Sequence, residues 1–199
     1  MSLKSKLVSS YLAFDDHLDD NSPIHDIRKK AIDTFEEKGF PTKKEEDWKY
    51  TSLNAIINKD YSIASKGDKK IKYEKVREYF LHDIDSYKIV FIDGVFSSFL
   101  SETSHDGLDV CLLSSVLSKE KYKAIIEAYY NKIASKDSIT SLNTAFAKEG
   151  AYINIPNNKE VDKPIEIINF STGNETALMM QPRNLIIVGE NAHVQIIER

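Results

Sequence analysis

Five histidines, one cysteine and several runs of acids are the residues of this chain whose chemistry could serve catalysis or metal binding. Zinc and iron sites draw such side chains together at short, regular spacings on one helix face or turn. Here His17 and His25 stand on either side of an expected helix break, and His82, His105 and His193 are isolated. No HExxH sequence occurs, so the histidines read as ordinary surface or core imidazoles. Cys111 lies in the apolar stretch Val110-Cys111-Leu112-Leu113. A thiol in that setting behaves as a small hydrophobe, whereas a reactive thiolate needs an exposed, electropositive one. The acids come as neighbours: Asp15-Asp16, Asp19-Asp20, Glu36-Glu37 and Glu45-Glu46-Asp47. Adjacent residues on a helix do not face each other, so these runs read as solvated faces. No phosphate-cradling glycine loop is present. The sequence therefore assigns no catalytic, no cofactor-binding and no metal-ligating residue.

One segment is distinctive for recognition. Phe40-Pro41-Thr42 leads into Glu46-Asp47-Trp48-Lys49-Tyr50-Thr51-Ser52-Leu53, which holds the only tryptophan. Exposed aromatics anchor interfaces, and Trp48 with Tyr50 could form such an anchor. Packing of both rings inside the helical layer is the reading the sequence favours.

The elements that must position these residues follow from periodicity. Leu3, Leu7, Tyr11, Phe14 and Leu18 form one stripe of a helix over 3–19. Ser22-Pro23 reads as a cap for a second helix through Ile24, Ile27, Ala31 and Phe35, ended by Gly39 and Pro41. Tyr73, Val76 and Phe80 suggest a short helix after a polar loop over 58–70. Ile89–Ile92, Asp93-Gly94 and Val95-Phe96 predict a hairpin, because a type I′ turn needs positive φ. Leu108–Leu112 predicts a strand. Tyr122 to Ile133 predicts a helix capped by Ser118, and Ile139 to Phe146 another, stopped by Gly150. After Gly150 the signal is β: 151–155, 164–170, 177–180, 184–188 and 193–197, separated by turns. A sandwich fits this spacing, and so do stacked rungs of a β-solenoid. The expected division is a helix-rich domain over 1–150 and a β segment over 151–199. The stop after an apolar strand is the pattern expected of a longer protein cut short, whose open strand edge could pair two copies.

The chain has 199 residues, 41% hydrophobic and 29% charged, with a net charge of −4. That composition is neither disordered nor membrane-spanning. An acidic balance with lysines interleaved among acids argues against nucleic acid as a partner. One cysteine excludes an internal disulfide, and no secretory leader is apparent, so a cytoplasmic protein is expected.

Taken together, several segments resemble the SufB/SufD family, and its SufD branch in particular. These are Gly39-Phe40-Pro41 with Glu46–Leu53, the Ile89–Phe96 unit, Ser141–Gly150 running into Ala151–Pro156 and Lys163–Ile167, and Pro182-Arg183-Asn184-Leu185-Ile186-Ile187-Val188. Gln181 departs from the pattern, where the family often has histidine. The resemblance implies an α+β fold: an N-terminal helical domain followed by the first rungs of a right-handed parallel β-helix, truncated here. It implies a non-catalytic scaffold subunit of the SUF iron–sulfur cluster assembly complex, pairing with SufB and with the ATPase SufC. No cofactor is expected in this part, the cluster being built by the full complex. Two other readings stand beside it: a β-solenoid enzyme acting on carbohydrate, and a generic adaptor docking through Trp48 and Tyr50. Only Tyr152 and Phe170 are aromatic after Gly150, which argues against a sugar groove.

Overall fold

The computed structural model describes the whole chain except residues 16–23, 64–70, 72, 103–106, 134–136 and 174–176. The fold is α+β, with helices and small sheets of two, three and four strands. It divides into two compact units that interleave along the chain. The first comprises Met1–Ser62, Leu117–Lys148 and Asn174–Arg183; the second comprises Ile63–Val116, Glu149–Gly173 and Asn184–Arg199. The helix-rich first part of the sequence thus contributes strands to the second unit, and residues 174–183 of the β segment belong to the first.

In the first unit, α1 (Leu3–Asp15), α2 (His25–Lys38) and α7 (Ser138–Phe146) supply the core. Of the expected stripes, Leu3, Leu7 and Tyr11 on α1 and Ile24, Ala31 and Phe35 along α2 are buried, while Phe14 and Ile27 are half-buried. The end of the first predicted helix and the Ser22-Pro23 cap lie outside the described residues. Tyr11 meets Phe146 edge-on, with ring centres 5.8 Å apart. Each of the buried leucine, isoleucine and phenylalanine side chains contributes about 1.5–3 kcal/mol of apolar transfer. Asp137 caps α7, its carboxylate accepting from the Ile139 and Thr140 amides, both at 2.9 Å. The short helix α3 (Asn54–Ile57) follows a 3-10 turn over Glu46–Trp48. The helix predicted to run to Ile133 is shorter: α6 (Lys123–Tyr129) ends before Asn131, whose φ of 58° breaks it. Ile133 is consequently fully exposed, and a 3-10 turn over Glu120–Tyr122 leads into α6, so that the position before the helix is Tyr122 and not Ser118. The chain passes between units at β1 (Ser62–Ile63) and again at α5 (Leu113–Leu117). Ser62 donates its amide to the Ala177 carbonyl at 3.0 Å, next to β7 (Leu178–Met179).

The second unit is built on β2 (Tyr87–Ile92), β3 (Val95–Phe96), β4 (Asp109–Leu112), β5 (Ala151–Ile155), β6 (Ile165–Phe170), β8 (Leu185–Val188) and β9 (Ile196–Glu198). The hairpin forms as the sequence predicts: Asp93 and Gly94 have φ of 49° and 78°, and Ile92 pairs with Val95. The helix α4 (Tyr73–Arg77) lies just upstream. One sheet runs β3-β2-β6-β9 and another β4-β5-β8. β6 pairs parallel to both its neighbours, and β5 pairs parallel to β8. The antiparallel-sandwich alternative therefore does not describe these strands. Within these two sheets the antiparallel pairs are β2–β3 and β4–β5. A complete solenoid is not assembled among the described residues.

Parallel strands buried on both faces read as continuous apolar runs, and β6 begins that way. Ile165 and Ile167 enter one cluster with Ile89, Phe91, Ile153 and Ile155. Ile168 enters another, with Val76, Val90, Ile92 and Leu100. Between them Glu166 is fully buried.

Candidate functional site

Among the described residues, those singled out for chemistry are not assembled into a centre; Asp16, Asp19 and Asp20 lie outside the described residues. Cys111 sits on β4 opposite Tyr152, half-buried, with its sulfur 3.9 Å from Asp109 Oδ1. Glu36, Glu37, Glu45, Glu46 and Asp47 are exposed, while His17 and His105 lie outside the described residues. Among the described residues, no group of three or more His, Cys, Asp or Glu side chains stands close enough to hold a metal ion. The two aromatics that a sugar groove would need are not presented: Tyr152 is completely buried, and Phe170 packs against Tyr79 and Phe80.

Trp48 and Tyr50, treated as a pair by the sequence, part company. The 3-10 turn is set by Thr42, whose amide donates to Glu45 Oε1 at 2.8 Å. Trp48 is half-buried and lines an apolar cavity of about 180 Å³ with Leu3, Leu7, Leu53, Ile56 and Leu142. Tyr50 is 89% exposed, and the Lys49 ammonium lies 5.1 Å from its ring centre. The indole therefore belongs to the packing of the first unit, and the phenol faces water.

A polar cluster in the first unit was invisible to sequence reasoning. Asn143, on α7, donates to Gln181 Oε1 at 3.0 Å and to the Pro182 carbonyl at 3.1 Å. Arg183 reaches Asn143, Thr144 and Asn131, residues 39 to 52 positions away. Only the Pro182-Arg183-Asn184 segment hinted at it. Gln181 is thus held by the same asparagine that receives Arg183. Below the guanidinium, Tyr130 is 1% exposed and its hydroxyl has no hydrogen-bond partner. Burial pushes its phenol pKa up, against the opposing pull of the Arg183 and Arg28 charges.

That shift fixes a pH dependence. The folded state holds the phenol proton more tightly than the unfolded chain does, so this contribution is intact below the unfolded pKa of about 10 and is lost as pH rises above it. Tyr130→Phe removes an unpaired buried hydroxyl at nearly constant volume, so its stability at neutral pH should stay within about 1 kcal/mol of the parent. Its decline in chemical-denaturation stability between pH 9.5 and 11 should be shallower. An equal decline in both proteins would show that Tyr130 does not carry the effect.

In the second unit the notable surface is a strand edge. Among the described residues, β8 and β9 end their sheets. β8 reads Leu185-Ile186-Ile187-Val188, with Ile186 36% and Val188 48% exposed. Natural edges are usually shortened, charged or covered, and this one is apolar.

Comparison with known proteins places these features. A family model described as the SufBD protein N-terminal region matches residues 1–167. The iron–sulfur cluster assembly SufBD family protein of Synechocystis sp. is 27% identical over 180 residues, covering 90% of this chain and 39% of that protein. The iron–sulfur cluster assembly protein SufD of Escherichia coli is 25% identical over 164 residues, covering 80% of this chain and 35% of that protein. The chain thus spans less than two-fifths of the length of the curated relatives it matches. With more than half of its residues inside the family match, this chain belongs to the SufBD family and carries its N-terminal region.

Proposed function

We propose that this chain is the N-terminal part of a non-catalytic scaffold subunit, of the SufD kind, in a cytoplasmic complex that assembles iron–sulfur clusters. Its partners are a SufB homologue and the ATPase SufC, and the cluster is the product of the whole complex rather than a cofactor of this chain. The family match over residues 1–167 carries the reading. The names of both relatives supply the process. No helix among the described residues is long and apolar enough to cross a membrane.

The strand arrangement supports the architectural half of the proposal. β5 and β6 lie one layer away from β8 and β9, in parallel register, and the turns between them repeat at a separation of 33 residues. We read these as the first two layers of a right-handed parallel β-helix. On that reading the apolar β8–β9 edge is where a third layer stacks, or where a second copy of this chain pairs when that layer is missing.

Co-expression with the SufB and SufC homologues of the same genome tests the subunit role. The chain should co-purify with them through size exclusion. A SufB–SufC assembly that forms in full yield and leaves the chain in a separate peak would refute the assignment.

A further inference from the structure

Arg183 is half-buried, with its guanidinium carbon 5.5 Å from the centre of the Tyr130 ring. Nη1 donates to Asn143 Oδ1 at 3.0 Å and to Thr144 Oγ1 at 2.7 Å. Nη2 donates to Asn131 Oδ1 at 2.6 Å. Every acceptor is neutral. Among the described residues, no carboxylate stands within ion-pair distance of this guanidinium and none accepts a hydrogen bond from Nε. This differs from Arg199 of the second unit, which meets Glu166 at 2.7 Å.

The covalent geometry of guanidinium shows which donors remain. It carries five N–H groups in a fixed planar fork. Thr144 Oγ1 and Asn131 Oδ1 are only 3.3 Å from each other. They must therefore lie off the end of the fork, each facing an inner proton of the two Nη atoms. Asn143 then takes the outer proton of Nη1. The donors left over are Nε–H and the outer Nη2–H, which are parallel and share one edge. That edge has the spacing of a side-on carboxylate or phosphate contact.

A structural tether explains part of this arrangement. Three bonds fasten the chain around Arg183 to α7 and to Asn131. A tether does not explain a charge, however: the acceptors are satisfied by neutral donors just as well, and a half-buried cation among neutral groups costs desolvation. Arg28, only 4% exposed, adds a second positive charge to the surroundings of Tyr130. The charge is explained if an anion completes the set.

We propose that the Nε–Nη2 edge of Arg183 is an oxyanion-binding site, which takes two oxygens of one carboxylate or phosphate side-on. The three neutral acceptors and the Tyr130 ring hold the guanidinium plane fixed, so little side-chain freedom is lost on binding. The proposal rests on this local geometry alone and is independent of the assembly role proposed above. A carboxylate would come from an Asp or Glu of a docking protein, and a phosphate from a free phosphorylated ligand.

The test is a titration of the ¹⁵N-labelled chain, following the arginine Nε–H resonances. Sodium glutarate and sodium phosphate are the probes, with sodium chloride at matched ionic strength as the control. The Arg183 Nε–H signal should shift saturably with glutarate or phosphate, at a midpoint on the order of 1–10 mM, the range expected for two charge-assisted hydrogen bonds and little else. Chloride should leave it in place. The better probe identifies the source of the anion. Arg183→Gln identifies the resonance by its disappearance, and Arg183→Lys serves the same purpose if the glutamine variant does not fold. A linear, non-saturating drift with both probes, or one equal to that in chloride, would overturn the proposal.

Discussion

Replacing Gly189 with alanine should destabilise the second unit by about 3 kcal/mol, at the upper end of the usual cost of overpacking. The added Cβ would stand 2.4 Å from Asn157 Oδ1, 2.6 Å from the Asn157 nitrogen and 2.8 Å from the Pro156 carbonyl carbon. Two of those atoms are backbone and cannot swing aside. The approach is close because the Gly189 amide donates to the Ile155 carbonyl at 2.9 Å, while the next amide, of Glu190, donates to Asn157 Oδ1 at 2.9 Å. The alanine must break one of these bonds or push the two turns apart. Gly173→Ala is the natural control. Gly173 has a φ of 66° but, among the described residues, nothing within 4 Å of the new methyl. Its cost is conformational strain alone, about 1–2 kcal/mol. Urea unfolding followed by circular dichroism measures both. A Gly189→Ala loss no greater than that of Gly173→Ala would mean that the stacked turns do not meet as closely as described.

The same turns show what the sequence could reveal and what it could not. Asn158 and Asn191 both adopt left-handed backbone, with φ of 60° and 56°, and their side chains hydrogen-bond across the layers at 3.3 Å. Asparagine is one of the few residues that visits this region readily, so both positions read correctly as turns. That the two turns lie one above the other was not legible, because a single sequence carries periodicity and turn chemistry but not the partner of a strand. Asp93-Gly94 was legible for the opposite reason: a two-residue hairpin fixes its own partner. β2 finds β6 across more than seventy residues, and nothing in Ile89–Ile92 announces it. The parallel partner of β6 comes from the helix-rich part of the sequence, so the second compact unit draws strands from both sides of Gly150.

The candidate site followed the same rule. Trp48 and Tyr50 could be picked out because they are unusual residues close together in sequence, yet their opposite environments depend on Leu3, Leu7 and Leu142, which are distant in sequence. Beyond the Pro182-Arg183-Asn184 segment Arg183 offered no local signal of its partners, since each of its acceptors comes from the segment around α7. A guanidinium among neutral oxygens is visible only once the chain has folded.

Glu166 supplies the second large effect, because it is a carboxylate with no exposure in the middle of β6. Arg199 Nε donates to its Oε1 at 2.7 Å and Ser86 Oγ to its Oε2 at 2.8 Å. The Arg199 guanidinium also donates to the Tyr79 carbonyl. Arg199→Met should lower stability by about 2–3 kcal/mol. This is below the roughly 3–5 kcal/mol of a fully buried broken pair, because the arginine side chain is 34% exposed and partly screened. Most of that loss is the penalty of a buried charge left with one hydroxyl, not the worth of the pair. The double variant Glu166→Leu with Arg199→Met removes the stranded charge and exchanges it for packing beside Ile168 and Val90. It should recover at least half of what Arg199→Met loses, and the double-mutant cycle should show coupling above about 1 kcal/mol. Additive losses would instead mean that Glu166 and Arg199 act separately, and that β9 is held to β6 by backbone bonds and apolar contact alone.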